Sequence, residues 1–381
     1  MRLYEFEGSE LFRREGIPVP DYALATNPHE VRQKAEEIGL PVVIKAQVLT
    51  GGRGLAGGVQ VAETLDQAEE FARHILGSSI KGFPVHQVIV ARKVKVAQEF
   101  YLGVTIDGYQ GTPVVIFSSA GGVSIEEIAR VHPELVVRRQ VSLADGLPLS
   151  DAEQMTQKAG LDGKELTRVA SLLHTLYSIF RKYDALLVEI NPLVRTAEGE
   201  YLSLDAKVEI DDSSLYRHPE LGVSLEERIA NPLERKGRQI GVTYVDLDGE
   251  IGIIASGAGL GMATMDIISG KKLHPANFLE TGGAISADLL YQVMGLVFQK
   301  KGLKAVLINL YGGINPIHEG AKGIIRYLQE HPTRIPIIAK ALGNRQEETW
   351  QILREGGVKV VTEVATEKGV EKLVRLLEGR R

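Results

Sequence analysis

The hydrophobic pattern is most regular in the second half of the chain, where short apolar runs alternate with amphipathic stretches of helical period. Each run is rich in β-branched residues and has the length of a buried strand. Strands are predicted at 251–255, 276–279, 304–309, 335–340 and 358–361. Strands that alternate with helices of this length predict parallel βαβ units in a doubly wound sheet.

The first half is less regular and mixes predicted helices with strands. Asn27 can cap a helix that begins at Pro28, because asparagine accepts N–H bonds at a helix start and proline fits the first turn. The β-branched run 41–47 is predicted to be a strand, and a long helix is predicted over 163–182. The segment 226–245, with its proline and many charges, is predicted to be a linker.

These patterns predict an α/β protein with two modules. The first domain covers residues 1–225, and a flavodoxin-like parallel α/β module covers 246–381 after the linker. Five parallel strands suit that second module. A chain of 381 residues is also too long for one ordinary core, which agrees with a division into modules.

Composition narrows the class of protein further. The chain is 44% hydrophobic and 24% charged, which is ordinary for a soluble globular protein. Its net charge of -5 gives no general attraction to nucleic acid or an anionic membrane, so neither is expected as a partner. No cysteine is present, which excludes disulfides, thiolate zinc sites and a cysteine nucleophile. No signal peptide or membrane-spanning run is recognisable, and a cytoplasmic location is expected.

The first candidate site joins a lysine on a strand to a glycine-rich loop. Lys45 is flanked by Val43 and Ile44, so a partly buried ammonium that needs an anionic partner is expected. The loop 50–58 holds several glycines and one cation, Arg53. Glycines let backbone N–H groups approach phosphate oxygens closely, which favours polyphosphate binding. A mobile surface turn beside an edge-strand lysine would show the same residues, and the P-loop pattern is absent.

The second candidate site is a hairpin that carries acidic and amide side chains. Two segments on either side of Glu198 alternate polar and apolar residues, as half-buried strands do. A turn centred there places Asn191 opposite Asp205 and Glu189 opposite Lys207, on one face. A carboxylate beside an amide oxygen suits Mg²⁺, although an exposed polar hairpin face would have the same pattern.

A set of short motifs is spread in a fixed order along nearly the whole chain. They are Lys45-Ala46-Gln47, Gly51-Gly52-Arg53-Gly54, Gln98-Glu99-Phe100-Tyr101-Leu102-Gly103, Gly121-Gly122-Val123, Glu189-Ile190-Asn191-Pro192-Leu193, Asp205-Ala206-Lys207, Gly257-Ala258-Gly259-Leu260, Pro275-Ala276-Asn277-Phe278-Leu279 and Gly312-Gly313-Ile314. Together they resemble the β subunits of the succinyl-CoA synthetase family. The resemblance implies an ATP-grasp module followed by a flavodoxin-like CoA-ligase module, and the activity of an acid–thiol ligase.

The resemblance also implies roles for single residues of the first domain. Lys45, Gly52, Arg53 and Gly54 match the family's residues that bind the phosphates of ATP or GTP, and Glu99 matches a residue within the nucleotide pocket. Asn191 and Asp205 match its Mg²⁺ ligands. Glu189 matches the residue that steadies a phosphohistidine at the nucleotide site.

The phosphohistidine of this family belongs to an α subunit, which also carries most of the CoA site. None of the nine histidines here lies in a recognisable phosphohistidine motif, so the resemblance implies a partner chain. The implied reaction phosphorylates the partner's histidine and passes the phosphoryl group to a small carboxylic acid. Attack by the CoA thiol then releases the acyl-CoA.

The acid site implied by the resemblance lies in the second module. Gly313 and Ile314 match the loop near the acid, and Ser256 and Asn315 match neighbouring positions. A helix is predicted to begin at Asn315, because asparagine is a good cap and Pro316 is favoured next. An ordinary strand-to-helix turn would need the same residues.

Several positions depart from the succinate-specific pattern of the family. Ser256 stands where an asparagine is usual, and Asn315-Pro316 replaces a small residue followed by arginine. In the first domain, Ala91 and Val94 replace polar residues near the nucleotide. Because an asparagine can bond to a hydroxyl, a hydroxy acid such as malate or citrate is an alternative to succinate.

Two alternatives concern the class of protein. A carboxylate–amine ligase would share the ATP-grasp half but has no CoA-ligase module, and the motifs from Gly257 to Ile314 argue against it. A non-catalytic homologue is suggested by the departures from the family pattern at Ala91, Val94 and Ser256. The retained pair Asn191 and Asp205 argues for catalysis, because a mere binding module needs no Mg²⁺ ligands.

Overall fold

The computed structural model describes residues 1–379. The chain divides into two compact units, Met1–Gly222 and a second unit that begins at Val223. Within residues 1–379, no helix combines the length and the apolar character that crossing a membrane requires.

The first unit is built from antiparallel sheets and the helices that pack on them. In chain order its helices and strands are α1 (Glu5–Arg14), β1 (Tyr22–Ala25), α2 (Pro28–Ile38), β2 (Val42–Ala46), β3 (Val59–Ala62), α3 (Leu65–Ile75), β4 (Ser79–Ile80), β5 (Phe83–Pro84), β6 (Val88–Arg92), β7 (Val96–Asp107), β8 (Thr112–Ser118), α4 (Ile125–Val131), β9 (Val136–Gln140), α5 (Leu149–Lys158), α6 (Gly163–Lys182), β10 (Ala185–Thr196), β11 (Tyr201–Ser203) and β12 (Lys207–Ile210). Short 3₁₀ helices lie at Pro133–Leu135, Asp212–Arg217 and Pro219–Leu221.

Two of these sheets position the candidate site. One has the strand order β1-β6-β2-β3, and the other has the order β11-β10-β7-β8-β9 with β12 also paired to β10. Alternate residues of β2 point to opposite faces of the sheet. Val42 and Ile44 are fully buried in a core shared with Ala35 of α2 and Ala72 of α3. The opposite face of β2, which carries Lys45, is therefore the face that is left for a ligand.

Local signals behave as predicted at several places in this unit. The side chain of Asn27 accepts the N–H of Glu30 at 3.0 Å, and α2 begins at Pro28. Helix α6 covers the predicted range 163–182, and β2 lies within the predicted run 41–47. The structure therefore confirms these three predictions. Each of them depends on interactions between residues that are close along the chain, which is why the sequence could predict it.

The second unit is a doubly wound sheet covered by helices. Its helices and strands are α7 (Leu225–Arg228), α8 (Pro232–Ile240), β13 (Thr243–Asp246), β14 (Ile251–Ala255), α9 (Ala258–Gly270), β15 (Asn277–Glu280), α10 (Ala287–Val297), β16 (Ala305–Gly312), α11 (His318–Glu330), β17 (Ile337–Gly343), α12 (Gln346–Glu355), β18 (Lys359–Val361) and α13 (Thr366–Glu378).

The sheet of the second unit has the order β13-β15-β14-β16-β17-β18. Within the described part of the chain, β13 is the one strand of this sheet that runs antiparallel to its neighbour, and the other strands pair in parallel. The five parallel strands overlap the five predicted ones, and their order 2-1-3-4-5 is the flavodoxin-like order. The order reverses between β14 and β16, and ligands of such folds bind at the carboxyl ends of the strands there.

The predicted linker over 226–245 is wrong, because most of this segment is regular structure of the second unit. The side chain of Asn231 accepts N–H bonds at the start of α8, and Pro232 occupies the first helical position. The proline that suggested a linker therefore begins a helix. Val242 and Tyr244 lie in the core of the unit, and β13 extends its sheet.

The predicted helix start at Asn315 is also wrong, since α11 begins at His318. The side-chain amide of Asn315 donates to the carbonyl of Gly283, so it does not cap the helix. The N–H of Ile317 bonds to the carbonyl of Asn344 at 3.3 Å. Contacts from neighbouring loops, rather than a local cap, therefore decide where this helix begins.

Candidate functional site

One cavity of about 960 Å³ in the first unit gathers the residues that the sequence singled out there. Its walls include β2, the loop 50–58, the end of β6, and parts of β7 and β10. The predicted residues that line it are Lys45, Gly52, Arg53, Gly54, Glu99, Glu189, Asn191 and Asp205.

A buried carboxylate, Glu5, joins two of the cations that line this cavity, Lys45 and Arg53. Lys45 Nζ lies 2.9 Å from Glu5 Oε1, and Arg53 Nη1 lies 2.7 Å from Glu5 Oε2. The ammonium of Lys45 also donates to the carbonyl of Leu204 at 2.5 Å. The prediction of a partly buried lysine with an anionic partner is confirmed, and the partner is on α1.

The charges of this cluster shift the ionisation of its two carboxylates in opposite directions. Burial alone would raise the pKa of Glu5, but the positive charges of Lys45 and Arg53 outweigh it and hold the pKa below its usual value. Burial and the negative charge of Glu5 raise the pKa of Asp205, and Arg53 opposes them from 3.0 Å. Asp205 still has 42% of its side chain open to the cavity. A cation bound beside it would stabilise its charged form.

The glycine-rich loop is fastened by the turn between β4 and β5. Lys81 and Gly82 form this turn, both with positive φ, and Lys81 Nζ donates to the carbonyl of Gly51 at 2.7 Å. Gly52 has a φ of +73°, and a Cβ there would lie 2.8 Å from Lys81 Nζ. Only glycine fits this position without strain.

The carboxylate hairpin keeps the predicted register, since Leu193 lies opposite Ser203 on one side of the site and Glu189 lies opposite Lys207 on the other. Glu189 Oε2 lies 3.2 Å from Lys207 Nζ. This register sets Asn191 opposite Asp205, but the two do not form a ladder pair, because residues 204–206 between β11 and β12 are not part of a strand. Pro192 has no N–H with which to continue the ladder. Both side chains nevertheless line the cavity.

The amide of Asn191 is fixed by the loop that follows β8. Its Oδ1 accepts the N–H of Gly122 at 2.9 Å, and its Nδ2 donates to the carbonyl of Val123 at 2.9 Å. Gly122 has a φ of +80°, and any side chain there would collide with the carboxylate of Glu99. Glu99 and Asn191 are thus arranged around the same glycine.

Asn191 and Asp205 fit the Mg²⁺ that the resemblance implies, because both present hard oxygens to one cavity. Asp205 Oδ1 accepts bonds from Arg53 and Ala206, while Oδ2 makes no hydrogen bond within the described residues. Residues 1–379 contain no group of three or more acidic, histidine or cysteine side chains that could hold a metal. The remaining ligands of an ion would then be water and phosphate oxygens, as is usual for Mg²⁺.

The residues predicted for the acid site lie at the carboxyl ends of β14 and β16. Ser256 Oγ accepts the N–H of Tyr311 at 2.7 Å and lies 3.1 Å from the carbonyl of the same residue. Gly313 and Ile314 continue the loop, in which Ile314 is 90% exposed, and Asn315 closes it. These residues therefore meet at the reversal point of the strand order, where such sheets bind ligands.

Two residues of the cavity region, Glu5 and Lys81, were not predicted from the sequence to have a role there. Glu5 reads as an ordinary acidic residue in the first turn of a helix, and nothing nearby indicates that it meets Lys45. Lys81 reads as a surface lysine before a glycine. A lysine in the first position of a tight Lys-Gly turn is unusual, because positive φ is costly there, and this is the one available signal.

Two protein-family models match the chain. The model described as an ATP-grasp domain matches residues 2–195, and the model described as a CoA-ligase matches residues 254–374. Among solved structures, ATP citrate lyase from Methanothrix soehngenii in complex with citrate and coenzyme A has a TM-score of 0.78. Its identity is 18%, with 99% of both chains covered, so the likeness concerns the fold.

Curated relatives match the chain over its full length. The β subunit of the ADP-forming succinate–CoA ligase of Chloroflexus aurantiacus is 41% identical over 381 residues, which is 100% of both chains. The β subunit of the GDP-forming enzyme of Thermus thermophilus is 42% identical over 353 residues, which is 93% of each. The chain therefore belongs to the family of succinate–CoA ligase β subunits, in which an ATP-grasp domain is followed by a CoA-ligase domain.

Proposed function

We propose that this chain is the β subunit of a two-chain acid–CoA ligase that uses ATP or GTP and takes succinate as its acid. One cavity supports this proposal, because it is lined by Lys45 of β2, by the glycine-rich loop 50–58 and by the side chains of Asn191 and Asp205. A nucleoside triphosphate needs this combination of cations, free N–H groups and hard oxygen ligands.

The phosphates would lie between Lys45 and the loop 50–58. Lys45 and Arg53 supply positive charge, and Gly52 and Gly54 leave backbone N–H groups free of side-chain obstruction. Because Glu5 already pairs with both cations, the triphosphate would compete with a carboxylate for them.

Asn191 and Asp205 would hold Mg²⁺, which offsets phosphate charge during phosphoryl transfer. The chain's own contribution is to fix these two ligands. Gly122 and Val123 orient the amide of Asn191, and Arg53 holds one oxygen of Asp205 so that the other faces the cavity. Such supporting contacts typically matter for metal affinity.

The phosphoryl acceptor would be a histidine of the α subunit. None of the described residues that line the cavity is a histidine. Glu189 lines the cavity beside Lys207 and would accept an N–H of the incoming imidazole. A carboxylate in this position fixes the tautomer and orientation of a histidine ring.

The acid would bind in the second unit, at Ser256 and the loop from Gly313 to Asn315. The phosphoryl group would pass from the partner's histidine to a carboxylate oxygen of the acid. The thiol of CoA, bound mostly by the α subunit, would then attack the acyl carbon and displace phosphate. A hydroxy acid such as malate is the second candidate. Within residues 1–379 the amide nitrogen of Asn315 donates to Gly283, while its side-chain oxygen has no hydrogen bond and could accept one from a hydroxyl of the acid.

The test is a matrix of acids against ATP and GTP, run with the chain co-expressed with its α subunit. Acyl-CoA formation is measured, and succinate is expected to give the highest kcat/KM. A higher value for malate or citrate would replace succinate as the acid. Formation of no acyl-CoA from any acid, with both nucleotides, would overturn the ligase assignment.

A further inference from the structure

A row of three residues crosses the sheet at Glu189. Glu189 of β10 is the register partner of Gly103 on β7 and of Lys207 on β12. Register partners on neighbouring strands share a face, with their Cβ positions about 5 Å apart. The carboxylate of Glu189 therefore has an ammonium on one side and a position without a side chain on the other.

The space at Gly103 is filled by the phenol of Tyr101. Tyr101 and Gly103 lie two residues apart on β7 and so share a face. A Cβ at position 103 would lie 2.5 Å from the hydroxyl oxygen of Tyr101. The tip of the tyrosine thus occupies the place of a side chain directly across from Glu189.

This hydroxyl is directed at a carboxylate in a buried setting. Tyr101 is 3% exposed, and its hydroxyl occupies the position across from Glu189, where it is placed to donate a hydrogen bond to that carboxylate. Burial and the negative charge of Glu189 raise the pKa of Tyr101, so the phenol stays protonated and remains a donor at neutral pH. Lys207 Nζ reaches the same carboxylate at 3.2 Å.

We propose that Tyr101 is a positioning residue for phosphoryl transfer: together with Lys207 it holds the carboxylate of Glu189 in the orientation that receives the partner's histidine. The assignment rests on the proposed role of Glu189. It gives the Tyr101-Leu102-Gly103 motif a physical reason, because a side chain at 103 would displace the hydroxyl. A phenylalanine at 101 would fill the same volume but leave Glu189 free to rotate.

The test separates the two half-reactions of the complex with its α subunit. The first is phosphorylation of the α subunit by Mg·ATP, and the second is release of phosphate from the phosphorylated complex by acid and CoA. Tyr101→Phe is expected to slow the first about tenfold at saturating ATP, as expected for the loss of one hydrogen bond to a charged group. The KM for ATP and the rate of the second half-reaction are expected to stay at the wild-type values.

A matched control is Tyr177→Phe. Tyr177 is also a buried tyrosine of the first unit, but its hydroxyl has no hydrogen-bond partner among the described residues. This variant is expected to match the wild type in both half-reactions. A double-mutant comparison adds a second criterion: in a Glu189→Gln background, Tyr101→Phe is expected to have almost no further effect, because it acts through that carboxylate.

Wild-type rates for Tyr101→Phe in the first half-reaction would overturn the proposal. So would equal slowing of both half-reactions, or an unchanged tenfold effect in the Glu189→Gln background, because each indicates a purely structural role. A wild-type complex that fails to phosphorylate its α subunit would instead overturn the proposed function, and with it this inference.

Discussion

Glu5 Oε1 lies 2.9 Å from Lys45 Nζ, although the two residues are 40 positions apart in the chain. The first turn of α1 brings the carboxylate to the face of β2 that carries Lys45, where the side chain of Glu5 is only 3% exposed. The same carboxylate also holds Arg53. A negative charge supplied by the chain itself thus occupies the centre of the proposed phosphate site.

Replacement of this carboxylate should affect stability and nucleotide affinity in opposite directions. Glu5→Gln is expected to lower the free energy of unfolding of the nucleotide-free protein by about 3 kcal/mol, because two buried cations lose their shared partner. Triphosphate can then take the place of the carboxylate. Mg·ATP should therefore bind the variant more tightly and raise its Tm more than that of the wild type, as measured by thermal unfolding with and without Mg·ATP.

Glu10→Gln on the same helix is the control, because Glu10 is exposed and its ion pair within residues 1–379 is a surface contact with Arg13. It is expected to change stability by less than about 0.5 kcal/mol. The pKa of Glu5 is lowered, so its contribution is complete above the unfolded value of 4.5 and is lost as the pH falls through the folded pKa. A Glu5→Gln variant that binds Mg·ATP more weakly would contradict the assignment.

Asp205→Asn should separate stability from activity. Folding raises the pKa of Asp205 above 3.8, so ionisation of the carboxyl costs stability as the pH rises through the folded pKa. Without Mg²⁺, the variant should therefore be at least as stable as the wild type at pH 7, and this difference should vanish at acidic pH. The variant should also need much more Mg²⁺ for phosphorylation of the α subunit.

The control for this variant is Asp66→Asn, which changes a carboxylate of α3 that is 89% exposed and outside the cavity. It should leave the Mg²⁺ requirement unchanged. An Asp205→Asn protein with the Mg²⁺ dependence of the wild type would remove Asp205 from the metal site.

Gly52→Ala should weaken nucleotide binding. The alanine would have to adopt a φ of +73° next to Lys81 Nζ, at a cost of about 1–2 kcal/mol for the required loop conformation. The Kd for Mg·ATP should rise about tenfold in a direct binding titration. Gly51→Ala meets no atom within 4 Å and needs no positive φ, so it should have a smaller effect. Equal effects of the two substitutions would contradict this reasoning.

Ser256→Ala should weaken binding of the acid and leave the reaction with the nucleotide unchanged. The hydroxyl of Ser256 bridges to both backbone groups of Tyr311 at the carboxyl ends of β14 and β16. Its loss should raise the KM for the acid about fivefold, as for one neutral hydrogen bond, and leave the phosphorylation rate of the α subunit unchanged. Ser269→Ala, at an exposed position of α9, serves as the control. An unchanged KM for every acid would remove Ser256 from the acid site.

Sequence reasoning succeeded where the deciding interactions are local. The cap of α2, the length of α6 and the five parallel strands all follow from nearest-neighbour preferences and periodicity. The opposite pairing of Glu189 and Lys207 also follows, because a tight turn sets the register of the residues beside it.

Sequence reasoning failed where a distant residue decides the outcome. Asn315 was expected to cap a helix, but its amide bonds to the loop at Gly283. Residues 204–206 were expected to continue the strand of the hairpin, but they leave the ladder next to Lys45, whose ammonium donates to the carbonyl of Leu204. Glu5 gave no signal at all, because its role depends on packing between segments far apart in the chain.

The cavity at Lys45 is proposed to deliver the γ-phosphoryl group of the nucleotide to a histidine of the partner chain. The most direct measurement is transfer of radiolabel from γ-labelled ATP to the α subunit, in the purified complex, for the wild type and Lys45→Met. Lys34→Met is the control, since Lys34 pairs with Glu37 on the surface of α2. Acid-labile label is expected on the α subunit with the wild type and Lys34→Met, and at least about 100-fold less label with Lys45→Met, because the phosphates lose one of their two buried cations. Labelling of the α subunit by Lys45→Met at the wild-type rate would contradict this role of the cavity.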